Sequence, residues 1–553
     1  MDKVDRIFFN GNILTMDNQN TIVQAVALLK NTIYATGDNK TILSMASSET
    51  DCINLQGKTM LPGLYESHGH FQLASDGENN KVDLAAAPLG NMQTLDQCLR
   101  ALKEYAQKNG INKPIYGYRY DNTGILEKRH LTKYDLDKVS TTRPVIVNHI
   151  SNHLAYLNSK ALKILNITKN TLDPEGGKIQ KDPNTGEPNG ILEENAIYLT
   201  PQSSLMIMSV DYQTEEERFE AWEKTTLQYA KLGVTTANDA VCYPETVLLY
   251  RKAIEKGYLK IRMSINPAFN FYEKIKNNDF AHPFLTIGGA KLFQDGSIQG
   301  YTAYLKEKYY IAPKNEENYH GYPTYPYEEL RQKVKKAHQN GWQLVVHNCG
   351  DAGLEEYLEA LEDVQNETPM LDNRHVALHC IVMKPEQLQR MKKLNMIAAF
   401  FVDHVYYWGD KHKNRFLGEN RANYLCPMRS AIDAGLITTI HCDNPSGPEI
   451  PFLAIWSAVK RVTKDGEILG RDQSISVLEA LRAYTIEAAY QFFEEDIKGS
   501  IETGKLADLI VVDRNPLTCP VDYLKDIEVE MTMVDGNIVY QKEKVKWLEN
   551  FQI

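Results

Sequence analysis

A chain of 553 residues with 43% apolar and 24% charged residues has a soluble globular composition and is too long for one ordinary core, so two or more domains are expected. The net charge of −11 argues against nucleic acid or an anionic membrane surface as a partner, because binding phosphates needs concentrated Lys and Arg. No run of about eighteen apolar residues is present to span a bilayer, and the eight cysteines form no CxxC pair, as suits thiols in a reducing cytoplasm.

The opening stretch "MDKVDRIFFNGNILTMDNQN" lacks the basic, apolar and small-residue parts of a signal peptide, so a cytoplasmic location is expected. Residues 4–14 and 23–37 are short β-rich runs, the first broken by Asn10–Gly11, a hairpin signal. Residues 499–541 repeat that texture. The simplest arrangement is one small β-sandwich built from both chain ends, with a larger domain inserted between them.

Within the larger domain, short apolar strands alternate with helical stretches. The strands are expected at 58–66, 232–239, 260–266, 286–293, 342–347, 375–380, 396–402 and 436–443. Helices at 328–340, 353–364 and 385–394 separate the later ones. Eight buried strands with intervening helices predict an α/β fold, a (β/α)8 TIM barrel whose active site lies at the strands' C-terminal ends. The gap after the first strand is too long for a loop and reads as an insertion over the barrel mouth. The expected organisation is therefore 1–58 in the sandwich, 59–75 as first barrel strand, 76–225 as insertion, 226–490 as the remaining barrel, and 491–553 back in the sandwich.

Chemistry-bearing residues gather at the ends of these strands. "LPGLYESHGHF" (61–71) carries His68 and His70, which in an extended segment point the same way. The pair alone suits either one metal ion or two surface imidazoles. The fourth strand carries Lys291, the fifth ends in His347, the sixth in His379 and the eighth in Asp443. Six such groups on five strands favour a metal centre, since neutral imidazole and carboxylate are good ligands for Zn2+ and similar ions. Two ions about 3.5–4 Å apart can stabilise both attack and departure. An ammonium donates no lone pair, but a Lys291 carbamate formed with CO2 would offer two bridging oxygens.

These residues sit in motifs that resemble the amidohydrolase superfamily, specifically the amidohydrolase-3 group that includes YtcJ-like proteins and N-substituted formamide deformylase. The likeness runs through "LPGLYESHGH", "RPVIVNHISNHLAYLNSKAL" (143–162), "DPEGGKI" (173–179), "GEPNGIL" (186–192), "KLFQDGS" (291–297), "VVHNCGD" (345–351), "RHVALHC" (374–380), "HCDNPSGPEIPF" (441–452) and "GKLADLIVVDRNP" (504–516). The resemblance implies one or two Zn2+-like ions held by His68, His70, Lys291 as a carbamate, His347, His379 and Asp443. It further implies attack of metal-activated hydroxide on an amide-like carbonyl of a small molecule. Asp443 would serve as the base that passes the proton to the leaving nitrogen.

The chain departs from the group in two places. Tyr301 stands about where many relatives carry an arginine after the DGS, and Asp403–His404 replace a Gln-Pro after the seventh strand. His153, Tyr301 and His404 are candidate substrate contacts, although His153 equally suits local capping and His404 a hydrogen-bonded place among aromatics. His375 and His441 read as structural or supporting, and Asp295 and Asp351 as loop or helix-cap carboxylates. Cys349, Cys380 and Cys442, each near a nominated ligand, read as strand-end packing. Competing functions are a deaminase or cyclic-amide hydrolase on the same centre, or a silent binding relative; retention of all six ligand positions disfavours the last. The partner is expected to be a small-molecule substrate, with a homodimer left open.

Overall fold

The computed structural model describes residues 4–542 apart from 109, 111–112, 211, 213, 277–279, 281, 314–315 and 371. Among the described residues, no helix is long and apolar enough to cross a membrane.

Both chain ends build the sandwich. One sheet has the order Thr32–Gly37, Ala25–Leu29, Arg6–Phe9, Asp51–Asn54. The other runs Asn537–Gln541, Val529–Val534, Leu509–Val512, Thr59–Pro62, Asn12–Leu14, Ile22–Val23, so it interleaves the two ends of the chain. Phe8, Ile13, Val26, Met60, Leu509 and Met531 form the core between them. Asn10–Gly11 is not a hairpin turn. Arg6–Phe9 and Asn12–Leu14 belong to different sheets, and Asn10, at φ 57°, carries the chain from one to the other. A Cβ on Gly11 would stand 2.3 Å from Leu55 Cδ1, so a larger residue at that corner would push the Leu55 side chain aside.

The expected first barrel strand, 58–66, divides. Thr59–Pro62 pairs antiparallel with Leu509–Val512 in the sandwich, and only Leu64–Tyr65 (β1) enters the barrel. Gly63 separates the halves because a Cβ there would collide with Thr235, 2.1 Å from its Oγ1. The remaining barrel strands are β2 (Val234–Cys242), β3 (Arg262–Pro267), β4 (Leu285–Ile287), β5 (Ala290–Phe293), β6 (Leu344–Asn348), β7 (Val376–His379), β8 (Ile397–Phe400) and β9 (Ile437–Ile440). The run expected as one strand at 286–293 is thus two, broken at Gly288–Gly289. There a Cβ on Gly289 would lie 2.8 Å from the Gln343 carbonyl oxygen.

All neighbouring barrel strands are parallel, in two arcs: β4-β3-β2-β1 and β5-β6-β7-β8-β9. The arcs join at an Ala268–Lys291 bridge. Across the other seam, between β1 and β9, the Ser67 hydroxyl donates to the Ile440 carbonyl at 2.9 Å. Gln491 reinforces that seam, accepting from Thr439 Oγ1 at 2.8 Å and donating to the Ser67 carbonyl at 2.9 Å. Val345, Val376, Leu378, Ile397 and Ala399 cluster together, while Leu344, Val346, Ala377 and Ala398 pack in the larger core that includes the helices, the period-2 alternation of barrel strands. Helices Tyr327–Gln339, Asp351–Glu367 and Pro385–Lys393 follow the expected positions.

Between β1 and β2 lies a separate six-stranded sheet, from Val82–Asp83 to Pro188–Glu194. Its two faces bury different cores, Val145 and Val147 on one side and Ile146 on the other. The helix Pro201–Met208 follows, started by Thr200 as N-cap and proline at its first position, and stands at the barrel mouth.

Candidate metal centre

Each nominated residue lies on or just after a barrel strand. His68 and His70 follow β1, Lys291 is on β5, His347 on β6, His379 ends β7, and Asp443 follows β9. His68, His379 and Asp443 converge, with one ligating atom from each lying within 4.8 Å of the others. Asp443 Oδ1 is 3.4 Å from His68 Nε2 and 3.5 Å from His70 Nε2. The His347 ring centroid lies 4.4 Å from that of His379. Lys291 Nζ, buried nearby, stands over the Phe293 ring at 4.7 Å.

The donor set has the chemistry a cation requires. Among the described residues, neither ring nitrogen of His68, nor His347 Nδ1, Lys291 Nζ or Asp443 Oδ1, has a hydrogen-bond partner, although buried polar atoms are ordinarily paired. Burial holds His68, His347 and His379 well below the usual histidine range and brings His70 down to about 3, so their rings are neutral and keep a lone pair to donate. A tetrahedral Zn2+ with ligands at about 2.0–2.1 Å separates its donors by about 3.3–3.4 Å. The Asp443–His68 and Asp443–His70 spacings match that edge. Burial likewise brings Lys291 down to about 7 and Asp443 up to about 7, the lysine's charge opposing the rise.

Two of these residues have backbones that only special positions tolerate. His379 has φ 69° and Asp443 φ 54°, both in the left-handed region. At the end of β7 this interrupts strict strand alternation, so that His379 meets His347 and His68 (ring centroids 5.2 Å apart) although its neighbour Leu378 packs among the inward apolar residues. Such conformations persist where surrounding structure compels them, often at functional sites.

The centre opens into a cavity of about 540 Å³. Its walls include Leu73, Ile197, Tyr198, Leu205, Met208 and Phe293, with His70, Lys291, His379 and Asp443 at one end. His153 also faces it. His153 Nδ1 lies 2.7 Å from Glu194 Oε2, and its ring stacks on His347 at 4.6 Å. Burial opposes the charged form of His153, but Glu194 beside it outweighs that and raises the ring above the usual histidine range. Glu194 escaped the reading of the sequence because nothing local marks the end of a strand 41 residues after His153 as its partner. The apolar wall was missed too, although the capped run "TPQSSLMIM" (200–208) signals it.

Tyr301 and His404 are not brought to this cavity. Tyr301 packs on Tyr309 and Phe416, and its hydroxyl accepts from Arg415 Nε at 2.9 Å. His404 is 2% exposed, with Nδ1 2.9 Å from His412 Nε2, among Phe401 and Trp408. His375 accepts the Leu344 N–H at Nδ1, a structural contact. His441 lies beside the centre, its ring 5.1 Å from both His68 and His379. Asp295 accepts the backbone N–H groups of Cys349, Gly350 and Tyr304, and Asp351 opens the helix Asp351–Glu367.

Residues 51–540 match the model of the amidohydrolase family. The chain belongs to that family. As an amidohydrolase it is an enzyme, a hydrolase acting on carbon–nitrogen bonds. It is 28% identical to the N-substituted formamide deformylase of Arthrobacter pascens, over 97% of this chain and 98% of that one. It is 29% identical to the putative amidohydrolase YtcJ of Bacillus subtilis (strain 168), over 97% and 99%. The amidohydrolase also superposes on the crystal structure of a metal-dependent hydrolase from Pyrococcus horikoshii OT3 with a TM-score of 0.73. That likeness covers 94% of this chain and 99% of the other at 22% identity.

Proposed function

We propose that this amidohydrolase cleaves the C–N bond of a small N-substituted amide bearing an apolar group, with Asp443 as general base. The observation that carries the reading is the position of Asp443, between the unpartnered histidines and a cavity with an apolar wall. The likeness to an N-substituted formamide deformylase along nearly the whole chain supports it.

His68, His70, His347, His379 and Asp443 would hold Zn2+ or a similar ion, with Lys291 as a carbamate where two ions bind. The ion, when bound, acidifies a water toward neutrality and polarises the substrate carbonyl. Burial pushes the Lys291 amine toward its neutral form, the form that adds to CO2. The Asp443 carboxylate takes the proton of the attacking water and delivers it to the leaving nitrogen as the C–O bond forms and the C–N bond breaks. His153, kept charged by Glu194, donates a hydrogen bond from Nε2 toward the acyl oxygen, where negative charge develops. Ile197 and Met208 pack against the apolar substituent, with Leu205 at the cavity's exposed rim.

A screen of the metal-replete protein over N-formyl and N-acyl amides, cyclic imides, esters and aminoheterocycles tests this. Turnover of N-substituted amides, lost on chelation and restored by Zn2+, is expected. Full activity in metal-free protein, or turnover confined to another class, would overturn it.

A further inference from the structure

Behind the histidine centre lies a second group of buried ligating atoms that the reaction does not use. Glu66, just after β1, is 1% exposed, and Glu449 is 4% exposed. One ligating atom each of Glu66, Cys442 and Glu449 lies within 4.8 Å of the others. Glu66 Oε1 accepts the Cys442 N–H at 2.9 Å, while Glu66 Oε2 and both oxygens of Glu449 have no donor among the described residues, and the two carboxyl groups lie against each other. Asp403, following β8, is also fully buried with neither oxygen partnered among the described residues, but it lies outside that group.

Three carboxylate oxygens of Glu66 and Glu449 are therefore buried without a donor from the rest of the described residues. Among the described residues, no Lys or Arg forms an ion pair with Glu66, Asp403 or Glu449. Unpaired buried carboxylates are costly, and they are neutralised by a bound cation or by protons. A proton shared between Glu66 and Glu449, whose carboxyl groups lie against each other, satisfies one oxygen of each and leaves the second Glu449 oxygen without a partner; the Cys442 thiol already meets the Tyr484 hydroxyl at 3.3 Å. A cavity of about 130 Å³ beside the cluster is lined by Glu78, Arg119, Tyr229, Asn444 and Glu449.

We propose that Glu66, Cys442 and Glu449 form a second cation site, for a divalent ion of the Zn2+ class, that clasps the barrel seam. The mixture of carboxylate oxygen with a sulfur ligand selects Zn2+-like ions over Mg2+ or Ca2+, which take oxygen alone. The place in the fold gives the clasp its purpose. No strand ladder joins β1 to β9 among the described residues, yet Glu66 precedes His68 by two residues and Cys442 immediately precedes Asp443. An ion held by both would fix the two sides of the seam that presents His68 and Asp443, which face each other at 3.4 Å.

Co2+ separates this site from the histidine centre, because a Cys thiolate ligand gives a near-ultraviolet charge-transfer band that His and carboxylate ligands do not. Full-length protein would be saturated with Co2+, freed of unbound ion by gel filtration, and its spectrum and metal content recorded. The band is expected in wild-type protein, absent in Cys442→Ser, and retained in Cys349→Ser, whose thiol lies 3.7 Å from His347 Nε2. Glu449→Gln should bind one ion per chain fewer than wild type, whereas His379→Asn should keep the band. A wild-type spectrum without the band, or a band that survives Cys442→Ser, overturns the proposal and assigns the cluster to shared protons. The wild-type spectrum decides even where a variant fails to fold.

Discussion

His68 Nε2 and Asp443 Oδ1 lie 3.4 Å apart across the seam between the first and last barrel strands. Two parts of the chain far apart in sequence therefore meet at the separation one small cation sets between two of its ligands.

If Asp443 is the base, Asp443→Asn keeps the size of the side chain and removes its basicity. Turnover should fall by about 10²- to 10⁴-fold in protein whose circular dichroism is unchanged. A variant with wild-type kcat at saturating metal would remove Asp443 from that role.

Lys291→Ala should lower the metal content of purified protein, and acetate or propionate should restore part of the activity by supplying a carboxylate where the carbamate stood. Unchanged metal loading, measured by elemental analysis, would count against carbamate formation.

Glu194→Gln tests the charge on His153. Glu194 raises this ring above the ordinary histidine range against the effect of burial, so wild-type enzyme keeps the imidazolium until the pH passes that raised value. Without the carboxylate, burial dominates and the ring loses its proton at lower pH. The alkaline limb of kcat/KM should move to lower pH; a superimposable profile means that His153 acts uncharged or not at all.

Met208→Lys places a charge in the apolar wall of the cavity. For amides with an apolar N-substituent, KM should rise about 10- to 100-fold, the range a hydrophobic pocket contact supplies. A small polar amide should be affected much less, and equal effects on both would argue that this wall does not touch substrate.

Arg262 ties the barrel to the sandwich. It is 1% exposed and donates to Asp508 at 2.7 and 3.1 Å and to Asp535 at 2.9 Å. Arg262→Met leaves Asp508 buried and unpaired, which should cost about 3–5 kcal/mol. Denaturant titration should show that loss, with Arg262→Met/Asp508→Asn recovering part of it.

Much of the barrel was legible from apolar runs, because a strand buried on both faces leaves a continuous apolar signature. Lys291, His347, His379 and Asp443 were legible for the same reason: once the strands are located, their ends are too. The divisions at Gly63 and Gly288–Gly289 were not. An apolar run reads the same whether its halves pair in one sheet or two, and the break follows from Thr235 and Gln343 approaching the backbone there. The departures at Tyr301 and His404 stood out in sequence, but chain position does not reveal whether a side chain enters a cavity or packs behind it.

The sequence by itself determined the β-sandwich-and-barrel class and the residue types at the barrel's catalytic end, since both depend on local periodicity and strand boundaries. Tertiary structure alone decided that His153 pairs with Glu194, that the Pro201–Met208 helix helps wall the cavity, and that Glu66, Cys442 and Glu449 gather behind the centre. Each of these relationships joins segments whose separation along the chain carries no periodic signal, so only the packing of strands and loops brings them within reach.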